Sequence, residues 1–267
     1  NTYNQTFIGE LPEGSGYKAV YLQAGNVENR GVEMALGYSD NFGGLQWNSS
    51  LVYSKNVNEI KEMVKDYHHP LSPKDNGRVL LKVGGSINDI YARKVLAKDN
   101  QGFVNVSPSG GMNLETVEPI YLGKTTPDFT MGWNNNFTYK NFGLSFLINA
   151  RVGGIVTSST QALLDRFGVS KASADARDAG GVMIPNQGLY DAKKYYTLVA
   201  TGENDLAGYY TYSATNVRLQ ELTLSYKFNS KLFNNVIKDL TLSFVATNPW
   251  MIYCKAPFDP ELTASTG

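Results

Sequence analysis

The stretch Asp128-Phe129-Thr130-Met131-Gly132-Trp133-Asn134-Asn135-Asn136-Phe137-Thr138-Tyr139-Lys140-Asn141-Phe142-Gly143-Leu144-Ser145-Phe146-Leu147-Ile148-Asn149-Ala150-Arg151-Val152 decides the fold class. Phe129, Met131 and Trp133 alternate with Thr130, Gly132 and Asn134, and Phe137 and Tyr139 continue the apolar set. Lys140-Asn141 is a tight polar turn. Beyond it Phe142, Leu144, Phe146, Ile148 and Ala150 share one face, and Gly143, Ser145, Leu147, Asn149 and Arg151 share the other. Period-two alternation puts successive side chains on opposite faces of a strand. The stretch therefore reads as a β-hairpin whose strands each run for about a dozen residues, whereas globular strands usually run for 5–6. A tilted strand that crosses a bilayer needs roughly 9–11.

The same design recurs on both sides. Val32, Met34, Leu36 and Tyr38 alternate with Glu33, Ala35, Gly37 and Ser39. After a turn at 40–44, Leu45, Trp47, Leu51 and Tyr53 alternate with Gln46, Asn48, Ser50 and Ser54. Near the other end, Leu222, Leu224, Tyr226 and Phe228 face away from Glu221, Thr223, Ser225 and Lys227. Past a connector at 229–239, Leu240, Leu242, Phe244 and Ala246 alternate with Thr241, Ser243, Val245 and Thr247. Aromatic residues gather toward strand ends (Tyr38, Trp47, Tyr53, Trp133, Tyr139, Tyr226, Phe228, Trp250 and Tyr253), as the interfacial girdles of a membrane barrel require. Short connections also alternate with two long ones, 55–127 and 154–212. Compact soluble domains rarely carry structureless loops beyond about 12–15 residues, but membrane barrels pair short turns on one side with long loops on the other.

Composition narrows the function. The 267 residues carry 24 Lys+Arg against 24 Asp+Glu, so the net charge is zero and the electrostatic footprint of a nucleic-acid binder is missing. One cysteine excludes an intrachain disulfide and a Cys-cluster metal site. No apolar run is long enough for a transmembrane helix, yet a mean hydropathy of −0.28 also suits a barrel whose strands alternate.

The long insertions hold structure of their own. Alternating material around Val83-Gly84-Gly85, within 78–98, and the segment 113–122 read as extended. Ser158-Ser159-Thr160 predicts a capped helix over 161–167, and Ser170 a second running to Ala179 with Gly180-Gly181 ending it. His68-His69 beside Pro70 reads as a solvated loop, with no further ligand at metal spacing. Asp99-Asn100-Gln101-Gly102 lacks the fixed carboxylates and closing Glu of a calcium loop and reads as a turn. The glycine pairs at 84–85 and 153–154 read as bends, bulges or close approaches to a plug inside a barrel, since neither carries phosphate-loop spacing. Cys254 is expected to act as a small apolar residue. Tyr190, Tyr195, Tyr196, Tyr209, Tyr210 and Tyr212 cluster in the second insertion, and tyrosine offers a sugar both a flat apolar face and a polar tip. Of these, Tyr195, Tyr196, Tyr209 and Tyr210 are the candidates for contact with a ligand or a covering protein. The alternative is that they anchor the insertion. No catalytic constellation is present, so no enzyme is expected.

Several of these residues carry a family resemblance. Gly25-Asn26-Val27-Glu28-Asn29-Arg30-Gly31-Val32-Glu33 resembles a barrel strand of the SusC/RagA branch of TonB-dependent outer-membrane transporters. So do the segment 121–129 with the hairpin after it, the run 212–226, and Asn248-Pro249-Trp250-Met251-Ile252-Tyr253 with Asp259-Pro260-Glu261. The resemblance implies an all-β, transmembrane antiparallel β-barrel, of which residues 1–267 supply about six or seven strands out of a 22-stranded, plugged barrel. It implies the C-terminal barrel portion, with the plug and final strand absent and both ends lying within a longer chain. Short turns would face the periplasm and the insertions would face outward. The implied function is TonB-dependent uptake of oligosaccharides across the outer membrane of a Gram-negative bacterium. The implied partners are a SusD-like surface lipoprotein, TonB acting through the absent N-terminal region, and outer-membrane lipid. A peptide-importing member of the same family, a passive porin-like barrel and a soluble all-β carbohydrate-binding module are the alternatives. No cofactor and no metal are implied.

Overall fold

The computed structural model describes residues 2–10, 19–63, 81–107, 110–202, 206–229, 237 and 239–261. In chain order its strands begin with β1 (Thr2–Glu10), β2 (Ala19–Phe42), β3 (Leu45–Met63), β4 (Asp89–Leu96), β5 (Leu114–Lys124), β6 (Phe129–Tyr139), β7 (Phe142–Val152) and β8 (Ile155–Thr157). Helices α1 (Ser159–Arg166) and α2 (Lys171–Asp178), strands β9 (Val182–Ile184) and β10 (Gly188–Tyr190), and helix α3 (Ala192–Gly202) follow. The chain closes with β11 (Thr211–Ser213), β12 (Asn216–Phe228) and β13 (Leu240–Cys254). Seven strands form one sheet in the order β1-β2-β3-β6-β7-β12-β13. This is an up-and-down meander, interrupted only where the two insertions leave it. The three hairpins read from alternation are all present. Gly43 and Gly44 both have positive φ in the β2–β3 turn, and Lys140 at φ 53 leads the β6–β7 turn. Positive φ is what a two-residue hairpin turn demands.

The chain divides into two compact units. One comprises 29–57, 126–154 and 213–267 and holds most of β3, β6, β7, β12 and β13. Cross-strand registers there align into rows. Leu45, Tyr139, Phe142, Tyr226 and Leu242 are successive partners across the five strands, as are Trp47, Phe137, Leu144, Leu224 and Phe244. Between these lies a polar row of Gln46, Thr138, Gly143, Ser225 and Ser243, and beyond them another of Asn48, Asn136, Ser145, Thr223 and Val245. One face of the sheet is thus apolar and the other polar. The apolar face is exposed: Phe142 is 63%, Leu242 67% and Phe244 63% accessible.

A bulge preserves this division. Register shifts fall between Leu219 and Glu221 of β12, opposite Thr247 and Trp250 of β13, where Asn248 has φ 49. Strict alternation from Leu222 would send Arg218 to the apolar side. With one residue skipped, Leu219 pairs with Ile148 and Val217 with Ala150, while Arg218 pairs with Asn149 on the polar face.

The other unit comprises 1–28, 58–125 and 155–212. It contains β1, the outer part of β3 and both insertions, which pack together as one body. β4 pairs with β5 and β8 with β11, and the Ala207 amide donates to the Lys94 carbonyl at 2.9 Å, tying the second insertion to the first. The first insertion was expected to begin at 55, but β3 continues to Met63. Hydrophobic alternation has ended by then, and charge takes over the cross-strand role: Lys61 pairs with Glu28 at 3.3 Å, and Asn26 donates to Glu62 at 2.5 Å. Gly84 and Gly85 form a turn that exchanges two 2.8 Å backbone hydrogen bonds with Ile60 of β3, so the close approach is to a strand of this chain. The helix caps read from sequence are present. Ser158 Oγ accepts from the Gln161 amide at 3.1 Å and Ser170 Oγ from the Ser173 amide at 3.0 Å.

Within the sheet unit, Gly153 marks where β7 ends. Its φ is 81, its amide donates to Thr215 Oγ1 at 3.0 Å, and a Cβ here would collide with the Asp128 carboxylate. Gly153→Ala combines positive-φ strain with that clash, and we expect it to cost about 1–3 kcal/mol. Thermal unfolding of the detergent-solubilised protein checks this, with Gly37→Ala, which meets nothing within 4 Å, as the silent control.

Candidate functional site

The polar face of the sheet carries amides and hydroxyls along most of its length and one buried charge at its far end. Arg218 is 6% exposed. Its Nη2 donates to Asp259 Oδ1 at 2.7 Å and its Nη1 to Asp259 Oδ2 at 3.2 Å, a two-pronged pair. Nη2 also lies 3.3 Å from Glu261, and Nε donates to Asn216 Oδ1 at 3.3 Å. Asn216 in turn donates to Glu261 Oε1 at 3.2 Å. The segment after β13 is thereby folded back and fastened to the polar face. A cavity of about 350 Å³ beside it is lined by Arg218, Asn248, Trp250, Met251, Phe258 and Asp259. Burial alone would raise the Asp259 carboxyl. The Arg218 hydrogen bond and charge, with the Glu261 amide, outweigh burial and hold it below the usual carboxylate range. Sequence reading placed Arg218 in a strand and Asp259-Pro260-Glu261 in a loop without joining them. The partners lie 41 residues apart, and the bulge that turns Arg218 toward the polar face leaves no mark in a two-residue pattern.

The four candidate tyrosines are brought together in the insertion unit. Tyr195 and Tyr209 share a hydrogen bond between hydroxyls at 2.5 Å, and Tyr195 meets Tyr196 edge-on with centroids 5.3 Å apart. These three pack against a buried cluster of Leu96, Ala162, Val199, Ala200, Leu206 and Tyr210. Tyr210 is only 5% exposed, so its ring belongs to this core rather than to the surface. Burial, followed by the charge of Asp165, pushes its hydroxyl pKa up. Burial and the bond to Tyr209 do the same for Tyr195. Tyr190 lies apart, donating to the Gly110 carbonyl at 2.9 Å. The unforeseen element is α3. The Asp191 carboxylate accepts from the Lys194 amide at 2.8 Å, as an N-cap does, and Ala192, Tyr195, Tyr196, Val199 and Ala200 form a helical stripe. That signal stood in the sequence beneath the tyrosine count.

The remaining candidates resolve simply. Asp99 Oδ1 accepts from the Gln101 and Phe103 amides at 2.9 and 3.0 Å, which makes 99–102 a turn. Cys254 pairs with Asn216 across the sheet, and its thiol donates to the carbonyls of Ala256 and Phe258 at 3.3 and 3.5 Å. His68-His69 lies outside the described residues.

A sheet with one exposed apolar face, one polar face and long folded insertions on alternate connections is the wall of a membrane β-barrel. No protein-family model matches the chain. A TonB-dependent receptor of Formosa agariphila is 24% identical over 94% of this chain and 29% of its own length. The TonB-dependent receptor SusC of Bacteroides thetaiotaomicron is 24% identical over 95% of this chain and 26% of its own. Among solved structures, the RagAB peptide importer in its "closed-closed" state superposes with a TM-score of 0.69 at 17% identity, over 97% of this chain and 30% of that one. Its "open-open" state gives 0.69 at 18% identity. Over nearly its whole length the chain is thus similar in sequence to TonB-dependent receptors, SusC among them, and it shares the fold of the RagAB importer. It spans 26–29% of the length of the curated relatives it matches, and those relatives are receptors rather than enzymes.

The depressed carboxyl of Asp259 sets a pH dependence. Its stabilisation is complete above the unfolded pKa, near 3.9, and is lost as pH falls through the lower folded value. The protection factor of the Glu261 amide, which removes the intrinsic pH dependence of exchange, should therefore stay flat down to about pH 5 and fall below about pH 4. Asp259→Asn should reproduce the acid behaviour at pH 7, weakening the fastening by about 1–3 kcal/mol once partial exposure is allowed for. Exchange in that variant indistinguishable from the parent at pH 7 would refute the assignment.

Proposed function

We propose that the chain is the C-terminal part of a larger outer-membrane barrel that imports oligomeric nutrients, its apolar face against lipid and its polar face lining the conduit. The observation that carries this reading is the uncovered row of Trp47, Phe137, Leu144, Leu224 and Phe244, backed by a row of amides and hydroxyls on the opposite face. A soluble carbohydrate-binding module would have to bury that face against a second layer. From the Leu45 row to the Tyr53 row is eight residues along β3, about 27 Å. At a tilt of 35–45° this spans roughly 20 Å, close to the apolar band of an outer-membrane barrel, and aromatic residues stand at both ends of it.

On this reading the short turns face the periplasm, and the insertions 55–127 and 154–212 face outward toward substrate and a SusD-like lipoprotein. TonB acts through a plug carried elsewhere in the protein. Oligosaccharide is the leading substrate class. Tyr195, Tyr196 and Tyr209 keep part of their ring surface outside the insertion core, and Tyr210 holds the core they stand on. Peptide is the second reading, because the solved structures that superpose on the chain are those of a peptide importer.

Phe244→Arg, a quarter of the way across that span, should cost about 1–2 kcal/mol, between the midplane and interface values, and should reduce the heat-modifiable folded band in outer-membrane fractions. Ser243→Arg, one residue away on the polar face, should leave that band intact. Deleting the gene and comparing growth on single oligosaccharides and defined peptides separates the substrate classes. A growth defect confined to peptides would overturn the oligosaccharide assignment.

A further inference from the structure

The second insertion contains a cleft in which charges are gathered and left unneutralised. It measures about 280 Å³ and lies among α1, α2 and α3, lined by Asp165, Arg166, Phe167, Arg177, Lys193 and Tyr196, with Gly168 at its edge. That volume is at the small end for a ligand pocket and suits one terminal residue or ring of an oligomer.

Three cations line the cleft against one carboxylate, and none of them is ion-paired among the described residues. Lys171, on the same helix as Arg177 but outside the cleft, is tied to Asp175 at 2.6 Å. Asp165, 7% exposed, is turned inward: its Oδ1 accepts from Gln161 Nε2 at 2.9 Å, and its charge acts on the hydroxyls of Tyr196, Tyr210 and Tyr212. It forms no ion pair with them among the described residues, so the cleft keeps an excess of positive charge.

Arg177 is also seated by design of the backbone. Its Nη1 donates to the Gly168 carbonyl at 2.5 Å, linking α2 to the end of α1. Gly168 has φ 71, and a Cβ there would lie 2.7 Å from that same nitrogen. Glycine adopts the turn without strain and leaves the guanidinium its place; a Cβ would displace it. One of the five guanidinium donors is used by this contact, leaving a planar fork that matches a carboxylate. Arg166 and Lys193 flank the cleft, and the rings of Phe167 and Tyr196 supply apolar walls for the residue that carries the charge.

We infer that this cleft recognises a carboxylate on the end of an oligomeric substrate, borne either by a peptide C-terminus or by an acidic sugar. The inference rests on the importer reading and narrows its substrate to acidic oligomers.

The test is calorimetric titration of the full-length receptor in detergent with two probe pairs. One is N-acetylated trialanine with a free or an amidated C-terminus. The other is trigalacturonate or its methyl ester. The acidic member of at least one pair should bind about tenfold more tightly than its neutral partner, a difference of about 1.4 kcal/mol. The pair that responds identifies the source of the carboxylate. Arg166→Gln combined with Lys193→Gln, whose side chains hold no hydrogen bond among the described residues, should shrink the preference to about threefold or less, about 0.65 kcal/mol. Lys171→Gln should leave the preference unchanged. Equal binding of acidic and neutral probes, absence of binding by either pair, or a preference that survives the double variant would each overturn the proposal. Outer-membrane fractionation of the same receptor tests the importer reading by itself, since a receptor inserted in the membrane but indifferent to the carboxylate refutes only the cleft.

Discussion

The sheet depends on its register. Each strand has its own two-residue alternation, but a continuous apolar face exists only because five strands align these alternations row by row. A slip of one residue between any two would send half of a strand's large side chains to the polar face. The two-residue turns at Gly43-Gly44 and Lys140-Asn141 set the register at one end, since a tight hairpin permits a single pairing. The Leu219/Glu221 shift adjusts it at the other. Past that bulge β12 still puts Leu219 and Val217 among Ile148 and Ala150, and it still puts Arg218 and Asn216 on the polar side. The buried ion pair at Asp259 therefore depends on the bulge: without the skipped residue the guanidinium would point into the apolar face, where a charge is very costly.

Much of this was legible in the sequence, and the boundary of legibility is physical. Alternation is local, so β6, β7, β12 and β13 could be read from consecutive residues. Serine caps are local too, and Ser158 and Ser170 announced their helices. The stretch of β3 beyond Ser54 was not legible, because its cross-strand pairing passes from apolar contacts to Lys61, Glu28, Asn26 and Glu62. Those residues look like a solvated loop until their partners are known. The join between the two insertions was equally hidden. It consists of a backbone bond from Ala207 to Lys94 and a core assembled from Leu96, Ala162, Val199 and Leu206, all distant in sequence.

The tyrosines show how a count can mislead about role. Six tyrosines within a short span suggested a surface for sugars, since aromatic faces and hydroxyls are what glycans use. The structure gives part of that ring area to packing first. Tyr195 and Tyr196 fall on α3 at the spacing that faces a core, Tyr210 is enclosed, and the Tyr195 and Tyr209 hydroxyls satisfy each other. The charged cleft was invisible for the opposite reason. Arg166, Arg177 and Lys193 belong to three helices, and nothing in their spacing declares that they converge.

The apolar face also carries one row that breaks its own rule, and the two tryptophans explain why. Ser49, Asn135, Phe146, Leu222 and Ala246 are successive partners, so a serine and an asparagine stand where lipid-facing residues are expected. Trp47 and Trp133 flank them along the strands. An indole N–H left without an acceptor in hydrocarbon would cost several kcal/mol, roughly as any orphaned polar group does there. Trp47 donates to Asn135 Oδ1 at 3.1 Å and Trp133 to Ser49 Oγ at 3.0 Å. Trp47 stacks on Phe137 and Trp133 meets Phe146 edge-on, and Asn135 beside these rings is 1% exposed. The Nδ2 of Asn135 has no hydrogen-bond partner among the described residues and remains a cost of about 1–3 kcal/mol. Ser49 and Asn135 thus supply the acceptors that the two indoles need, and Asn135 is enclosed beside the rings it serves.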